Sequence, residues 1–235
     1  MGMQVAILAG GLATRLRPLT ETMPKSMVRV AGRPFLEHQL ELLAEQGVRD
    51  VVLCVGHLGE QIREHFGDGS AFGVRIRYSE EGDCLLGTAG ALRRAEPLFD
   101  DRFFVLYGDS YLCLDYRDVM TRFEASDRLG LMVVYRNDDR WDRSNVVVES
   151  GLVRVYDKRE RRPGMVYIDY GVSALRREAL VAIPTDRAVS LEALYQDLIG
   201  RGELLAHEAT RRFYEIGSFA GLAELEELLS VGGVA

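Results

Sequence analysis

The sequence predicts an α/β protein: a mixed, mainly parallel central sheet flanked by helices, in a single domain with two lobes. Three observations predict it. Short apolar runs stop at glycines, as in Val5–Ala9 before Gly10-Gly11 and Phe103–Leu106 shortly before Gly108, the pattern of strands buried on both faces. Stretches with apolar residues at helical spacing lie between those runs. The two kinds of segment alternate through the first half, as right-handed strand–helix–strand crossovers require.

Taken in order, Val5–Ala9 is the first strand. Pro34 then opens a helix at the favoured first-turn position. Leu36, Leu40 and Leu43 line one face of this helix and Gly47 ends it,. Val51–Val55 is a second strand, and 58–66 an amphipathic helix closed by Gly67-Asp68-Gly69. Val74–Tyr78 places Arg75 and Arg77 opposite Val74, Ile76 and Tyr78, giving a third strand. A helix follows Thr88, and Phe103–Leu106 is the fourth strand, ending at Gly108-Asp109. Beyond residue 115 the texture changes. Residues 131–135, 146–149, 152–156 and 166–172 read as short strands between turns, with helices over 176–182, 191–199 and 219–229. The lobes are therefore drawn at 1–115 and 116–235.

Composition removes several classes. With 235 residues, of which 47% are hydrophobic, the chain buries a core without disulfides or structural metal and is not disordered as a whole. No run approaches the roughly 20 apolar residues of a membrane span. The apolar run at residues 5–9 is too short for a signal core, so a cytoplasmic location is expected. Arg and Lys total 29 against 36 Asp and Glu, a net charge of −7. That is the wrong balance for a duplex nucleic-acid binder, but it permits a small phosphorylated ligand held by a few local cations. Lys25 and Lys158 are the two lysines in a chain that otherwise uses arginine, and a compact ammonium is not equivalent to a guanidinium fork at a phosphate. Cys54, Cys84 and Cys113 show no C-x-x-C spacing. His38, His57, His65 and His207 show no zinc-ligand spacing either,.

The chemistry gathers at strand ends. Gly10-Gly11-Leu12-Ala13-Thr14-Arg15-Leu16-Arg17 follows the first strand, where an open α/β sheet binds its ligands. Glycines there let backbone N–H groups approach phosphate oxygens, and Arg15, Arg17 and Lys25 add cations. The segment is neither a Walker A loop nor a G-x-G-x-x-G fingerprint. Asp109 closes the fourth strand directly after a glycine. A carboxylate in that place either coordinates Mg²⁺ on bound phosphates or caps a turn.

These residues resemble a known signature. Leu8-Ala9-Gly10-Gly11 through Arg17-Pro18-Leu19-Thr20, then Pro24-Lys25-Ser26-Met27, Val30–Pro34, Gly87-Thr88-Ala89-Gly90, Gly108-Asp109-Ser110, Tyr156-Asp157-Lys158 and, weakly, Glu215-Ile216-Gly217-Ser218 are similar to the sugar-1-phosphate nucleotidyltransferases. The likeness is greatest to small members acting on heptose, mannose or N-acetylmuramate 1-phosphates. The resemblance implies a Rossmann-like nucleotidyltransferase fold with a nucleotide-binding lobe and a sugar-phosphate-binding lobe. It also implies a reaction in which an NTP and a sugar 1-phosphate give an NDP-sugar and pyrophosphate. The attacking phosphate oxygen is already anionic, so catalysis reduces to positioning and charge neutralisation.

By the same resemblance Arg15, Lys25 and Asp109 are catalytic. Leu8, Ala9, Gly10, Gly11, Thr14, Arg15, Gly87 and Thr88 bind nucleotide, with Glu80 and Glu81 near the base. Lys158, Asp157, Asn145, Asp169 and Gly171 bind the sugar phosphate, and Asp109 and Glu215 bind Mg²⁺ or Mn²⁺. A carboxylate near the base accepts guanine N1–H and N2–H or the cytosine amino group, which favours GTP or CTP over UTP or dTTP. Departures from the signature are Ala13 for glycine, Glu215 for aspartate, Asp157 before Lys158 for glutamate, and Asp169 before Gly171 for Asn or Thr. Asp169 reads either as a sugar-hydroxyl acceptor or as a solvent-facing residue of an edge strand. The motifs end at Ser218, so a stand-alone transferase without an added β-helix domain is expected, as a monomer or homodimer with no nucleic-acid or membrane partner. Rival readings are transfer to a phosphocholine- or molybdopterin-type acceptor, and a non-catalytic nucleotide-binding regulator of the same fold.

Overall fold

A computed structural model describes residues 2–11, 14–82 and 86–230, apart from the Thr14 side chain. Leu12, Ala13 and Cys84 lie outside the described residues, as do the Thr14 side chain and the stretch 83–85 of the expected base-binding region. The elements run β1 (Met3–Leu8), β2 (Arg29–Val30), β3 (Arg33–Pro34), α1 (Phe35–Glu45), β4 (Val48–Val55), α2 (Gly59–Phe66), β5 (Arg75–Glu80), α3 (Gly87–Ala95), β6 (Arg102–Tyr107) and β7 (Ser110–Leu112). They continue with α4 (Tyr116–Glu124), β8 (Gly130–Arg136), β9 (Val146–Glu149), β10 (Leu152–Tyr156), β11 (Tyr167–Arg176), α5 (Leu191–Gly200), β12 (Leu204–Ala209), β13 (Phe213–Glu215) and α6 (Phe219–Ser230). The fold class is α/β with a mixed sheet.

The chain forms two compact units that interleave along the sequence instead of dividing once near residue 115. Residues 1–85, 106–113 and 213–235 make the first, and 86–105 and 114–212 the second, so the division falls inside β6.

In the first unit, β5, β4 and β1 run parallel, with Val5 opposite Val51 and Val51 opposite Ile76. Val5, Ala6, Ile7, Val51, Val52 and Leu53 are all inaccessible to solvent. The unbroken apolar runs seen in the sequence are thus strands covered on both faces. α1 buries Phe35, Leu36, Leu40 and Leu43. Pro34 stands one place before the expected position, as the N-cap with an extended backbone, because it also ends the β2–β3 hairpin. At the other end of the chain, β13 pairs antiparallel with β7. α6 buries Leu225 in a cluster with Val30, Phe35, Tyr111, Cys113 and Ile216, with Leu222, Leu228 and Leu229 packed against it. The leucine face of α6 is covered by its own chain.

In the second unit, β8 lies between β11, which is antiparallel to it, and β12, which is parallel. β10 and β9 extend the sheet beyond β12 with antiparallel pairings. Asp115 caps α4 by accepting the N–H groups of Arg117 and Asp118, and Ser190 caps α5 by accepting that of Ala193,. The helix expected over 176–182 is a single 3₁₀ turn, Arg177–Leu180. Pro184 follows too closely for an α-helix to propagate.

Candidate active site

In the first unit three strand ends meet backbone to backbone. A Cβ on Gly10, just past β1, would stand 3.1 Å from the amide nitrogen of Gly56, just past β4. A Cβ on Gly108, just past β6, would stand 2.7 Å from the carbonyl oxygen of Leu8. Side chains at either place would push the strands apart. The Ala9 N–H donates to the Cys54 carbonyl at 2.9 Å and the Gly108 N–H to Leu8 at 3.0 Å. The Leu8 carbonyl and the Ala9 N–H are thus held in bonds between strands. Gly11, the next residue, faces open space.

Charge gathers on this frame. Arg15 sits in a 3₁₀ turn anchored by the fully buried Leu16, and Lys25 in another that follows the extended Pro24. The Lys25 ammonium contacts Oδ2 of Asp109 at 2.5 Å. Asp109 is tied by its carbonyl to the N–H of Ile216 at 2.9 Å, and Glu215 pairs with Ser110 across β13 and β7. The two carboxylates expected at a metal thus come from neighbouring strands. Gly217 marks where the charged groups converge. A Cβ there would stand 2.9 Å from Nη2 of Arg15 and 3.1 Å from Nζ of Lys25, and would collide with Oε2 of Glu215. Glu215 accepts the hydroxyl of Ser218 at 2.8 Å and the N–H of Gly217.

This donor set suits a hard cation. It consists of carboxylate oxygens with an ammonium already resting on one of them, and Mg²⁺ commonly completes its shell with phosphate oxygens and water. Among the described residues no group of three or more His, Cys, Asp and Glu comes together.

Glu80 and Glu81 separate. Glu80 is exposed and pairs with Arg63. Glu81 is buried at 9% exposure, with Oε1 2.7 Å from where a Gly10 Cβ would lie. Burial, with a smaller contribution from Glu81, pushes the Cys54 thiol up to about 12.

The second unit holds the other expected groups. Gly87 and Thr88 open α3, and a neighbouring segment docks on them. The Ala89 and Gly90 N–H groups donate to the Val189 carbonyl at 2.9 and 3.2 Å, and the Leu191 N–H donates to the Thr88 hydroxyl at 2.6 Å. A Cβ on Gly87 would lie 2.6 Å from that same carbonyl. Sequence reasoning missed this use of the motif, since nothing near residue 88 points to residue 189.

Asn145, Lys158, Asp169 and Gly171 come together. Asp169 lies inside β11, between its neighbours, with its side chain only 5% exposed. This overturns the solvent-facing edge alternative, because the sheet continues on both sides of β11. Its N–H donates to Oδ1 of Asn145 at 3.0 Å, its Oδ1 accepts the Gly171 N–H at 3.0 Å, and Lys158 Nζ stands 3.4 Å from its Oδ2. Asp157 instead turns back on its own loop. The N–H groups of Glu160 and Arg159, with Arg162 beside them, hold its carboxyl below the usual carboxylate range. Of the basic run at 159–162, Arg161 pairs with Asp139 and Arg162 with Asp157. Trp141 is half exposed beneath the Arg212 guanidinium, 3.5 Å from its ring centre.

Glycine-walled strand ends carrying two cations and two carboxylates mark the first unit of this α/β protein. The chain belongs to the nucleotidyl transferase family, whose model, described as "Nucleotidyl transferase", matches residues 4–158. It is 30% identical over 197 residues to the D-glycero-alpha-D-manno-heptose 1-phosphate guanylyltransferase of Campylobacter jejuni, covering 83% of this chain and 86% of that one. It is 43% identical over 124 residues to the UTP–glucose-1-phosphate uridylyltransferase of Synechocystis, covering 48% of this chain and 32% of that one. Among solved structures, HddC from Yersinia pseudotuberculosis, also solved in complex with GMP-PN, superposes with a TM-score of 0.81 at 26% identity. The match covers 97% of this chain and all of that one. The chain spans half or less of several other curated relatives it matches. Among the described residues no helix is long and apolar enough to cross a membrane.

Proposed function

We propose that this chain transfers a nucleoside monophosphate from an NTP to a sugar 1-phosphate and releases pyrophosphate. The observation that carries the reading is the convergence of Arg15, Lys25 and Glu215 on Gly217, with Asp109 bound to Lys25. An oxygen of the sugar phosphate attacks the α-phosphorus, and the bond from that phosphorus to the oxygen of the leaving pyrophosphate breaks. The nucleophile is anionic, so no base is needed, and the task is to neutralise and align phosphates. Arg15 and the backbone at Gly10 and Gly11 hold the departing phosphates, Lys25 faces the α-phosphate, and Lys158 takes the sugar phosphate. Asp109 and Glu215 would hold a divalent cation, Mg²⁺ or Mn²⁺, which when bound neutralises phosphate charge.

The names of the relatives support a sugar 1-phosphate over a phosphocholine or molybdopterin acceptor. Guanosine is the proposed base. Glu81 presents a buried carboxylate beside Gly10, which suits guanine N1–H and N2–H, and the heptose 1-phosphate relative is a guanylyltransferase by name. A cytoplasmic location accompanies this reading.

The test is pyrophosphate release with GTP, CTP, UTP and dTTP against mannose, glucose and heptose 1-phosphates in Mg²⁺. Turnover is expected with at least one pair and fastest with GTP. If no nucleotide releases pyrophosphate or raises the melting temperature with Mg²⁺ present, the proposal fails. If Glu81→Gln leaves the preference for GTP intact, the base assignment is wrong.

A further inference from the structure

Tyr156 ends β10 and is 1% exposed. Its hydroxyl donates to Oδ2 of Asp169 at 2.8 Å, the same oxygen that faces Lys158 Nζ at 3.4 Å. The Lys158 ammonium also lies 5.6 Å from the centre of the Tyr156 ring. We infer that Tyr156 is a positioning residue for the sugar-phosphate lysine: its hydroxyl fixes the buried carboxylate of Asp169, and that carboxylate holds Lys158 in place. The inference rests on the assignment of Lys158 under the proposed function.

A carboxylate this deeply buried needs fixed donors, and here the Tyr156 hydroxyl and the Gly171 N–H supply them. It is thereby a stationary negative charge. It also has little surface left for a sugar hydroxyl, so its action is on the lysine. Lys158, whose side chain is 44% exposed, has a flexible four-carbon stem and three donors. A contact with a fixed carboxylate narrows its range of positions, as positioning requires.

The tyrosine is itself held. Its carbonyl accepts from Gln196, and its ring meets Tyr195 edge-on at 5.6 Å. Tyr195 donates to the Ser173 hydroxyl at 2.7 Å, and the Asp169 carboxylate reaches it only as a through-space charge. It therefore serves as a matched control, a buried tyrosine of the same cluster whose hydroxyl points elsewhere.

The experiment compares Tyr156→Phe, Tyr195→Phe, Asp169→Asn and Lys158→Ala. One arm needs no substrate. The folded protein is acetylated briefly at fixed pH with an N-hydroxysuccinimide ester, and peptide mass spectrometry reads Lys158 against Lys25, which serves as internal reference because the chain has two lysines. The other arm measures KM for sugar phosphate and for NTP by pyrophosphate release. Tyr156→Phe and Asp169→Asn are expected to raise the Lys158:Lys25 ratio about threefold or more. They should raise the sugar-phosphate KM by roughly 5- to 10-fold, with the NTP KM changed less than about twofold, as for loss of one charge-assisted hydrogen bond. Tyr195→Phe is expected to lower the melting temperature and move neither readout.

The inference is overturned if Tyr156→Phe leaves ratio and KM unchanged, or if Tyr195→Phe moves them equally. Should Tyr156→Phe not fold, an unchanged ratio in Asp169→Asn overturns it instead. A Lys158→Ala protein with normal sugar-phosphate KM, or a wild-type protein that turns over no sugar 1-phosphate, counts against the proposed function. In either case the labelling ratio still decides what Tyr156 does.

Discussion

The ammonium of Lys25 rests 2.5 Å from Oδ2 of Asp109, a residue 84 positions away in the sequence. The contact joins the first glycine-rich segment of the chain to the end of β6. It also places the lysine where a divalent cation on Asp109 would compete with it. Asp109→Asn keeps the shape and removes the charge. It is expected to lower the pyrophosphate-release rate by about 100-fold or more, while GTP alone, without metal, still raises the melting temperature. Activity within a few-fold of wild type would take Asp109 out of the reaction.

Gly217 is the second test of the same centre. In Gly217→Ala the new methyl falls 2.9 Å from Nη2 of Arg15 and 3.1 Å from Nζ of Lys25 and overlaps the Glu215 carboxylate. These are ends of flexible side chains, so the fold adjusts while the charged constellation spreads. The variant is expected to lose about tenfold or more in kcat/KM, a small displacement being costly to alignment. Its melting temperature should stay within a few degrees of wild type. An active Gly217→Ala protein would show that these three side chains do not act together.

Gly87 makes the opposite prediction. Its φ is +71°, and a Cβ would lie 2.6 Å from the Val189 carbonyl oxygen and 3.0 Å from the carbonyl carbon. Backbone cannot swing aside as a side-chain end does. Gly87→Ala is expected to destabilise the protein by about 2–4 kcal/mol, combining an unfavourable φ with overpacking, read as a lowered denaturant midpoint. A midpoint equal to that of wild type would mean that the 187–191 segment does not depend on this contact.

His207, on β12, sets an acid limit. Burial holds its pKa below the ordinary imidazole value and Arg122 adds to this, while Asp118, 3.7 Å away, works the other way. A depressed folded-state pKa means that the unfolded chain takes the proton first. The stability this group contributes is whole above about pH 6.5 and drains away as pH falls toward the folded value. His207→Gln should therefore lose less stability than wild type between pH 7.5 and 5.5. The difference should be below about 1 kcal/mol, because the site is partly solvated. Urea midpoints at the two pH values decide it, and equal losses would refute the assignment.

Much of the first unit was legible because its rules are local. Val5–Ala9 and Val51–Val55 are runs that only a doubly covered strand explains, and the Gly10–Lys25 signature lies in one stretch. The carboxylates Asp109 and Glu215 were paired only by the resemblance, because β7 and β13 bring them together from distant segments and no spacing along the chain shows it. α4 went unread although Tyr116, Val119 and Phe123 repeat at helical spacing behind the capping Asp115. β12, with sequence Leu-Leu-Ala-His-Glu-Ala, has weak strand preference and is a strand because it pairs with β8,. Tyr156 was read as part of a lysine motif. Its role depends on Asp169 across the sheet, which no spacing along the chain reveals.

The interleaving of the two units bears on how the protein is made. Glu215, Gly217 and α6 belong to the first unit, yet they leave the ribosome after all of the second. Residues 114–212 of the second unit can fold against 86–105 while synthesis continues, since domains form as units during translation. The centre around Lys25 and Asp109 lacks Glu215 until the second unit has been made. The charged groups set out early in the sequence, Arg15 and Lys25, thus meet Glu215 only after residues 114–212 of the second unit have been made.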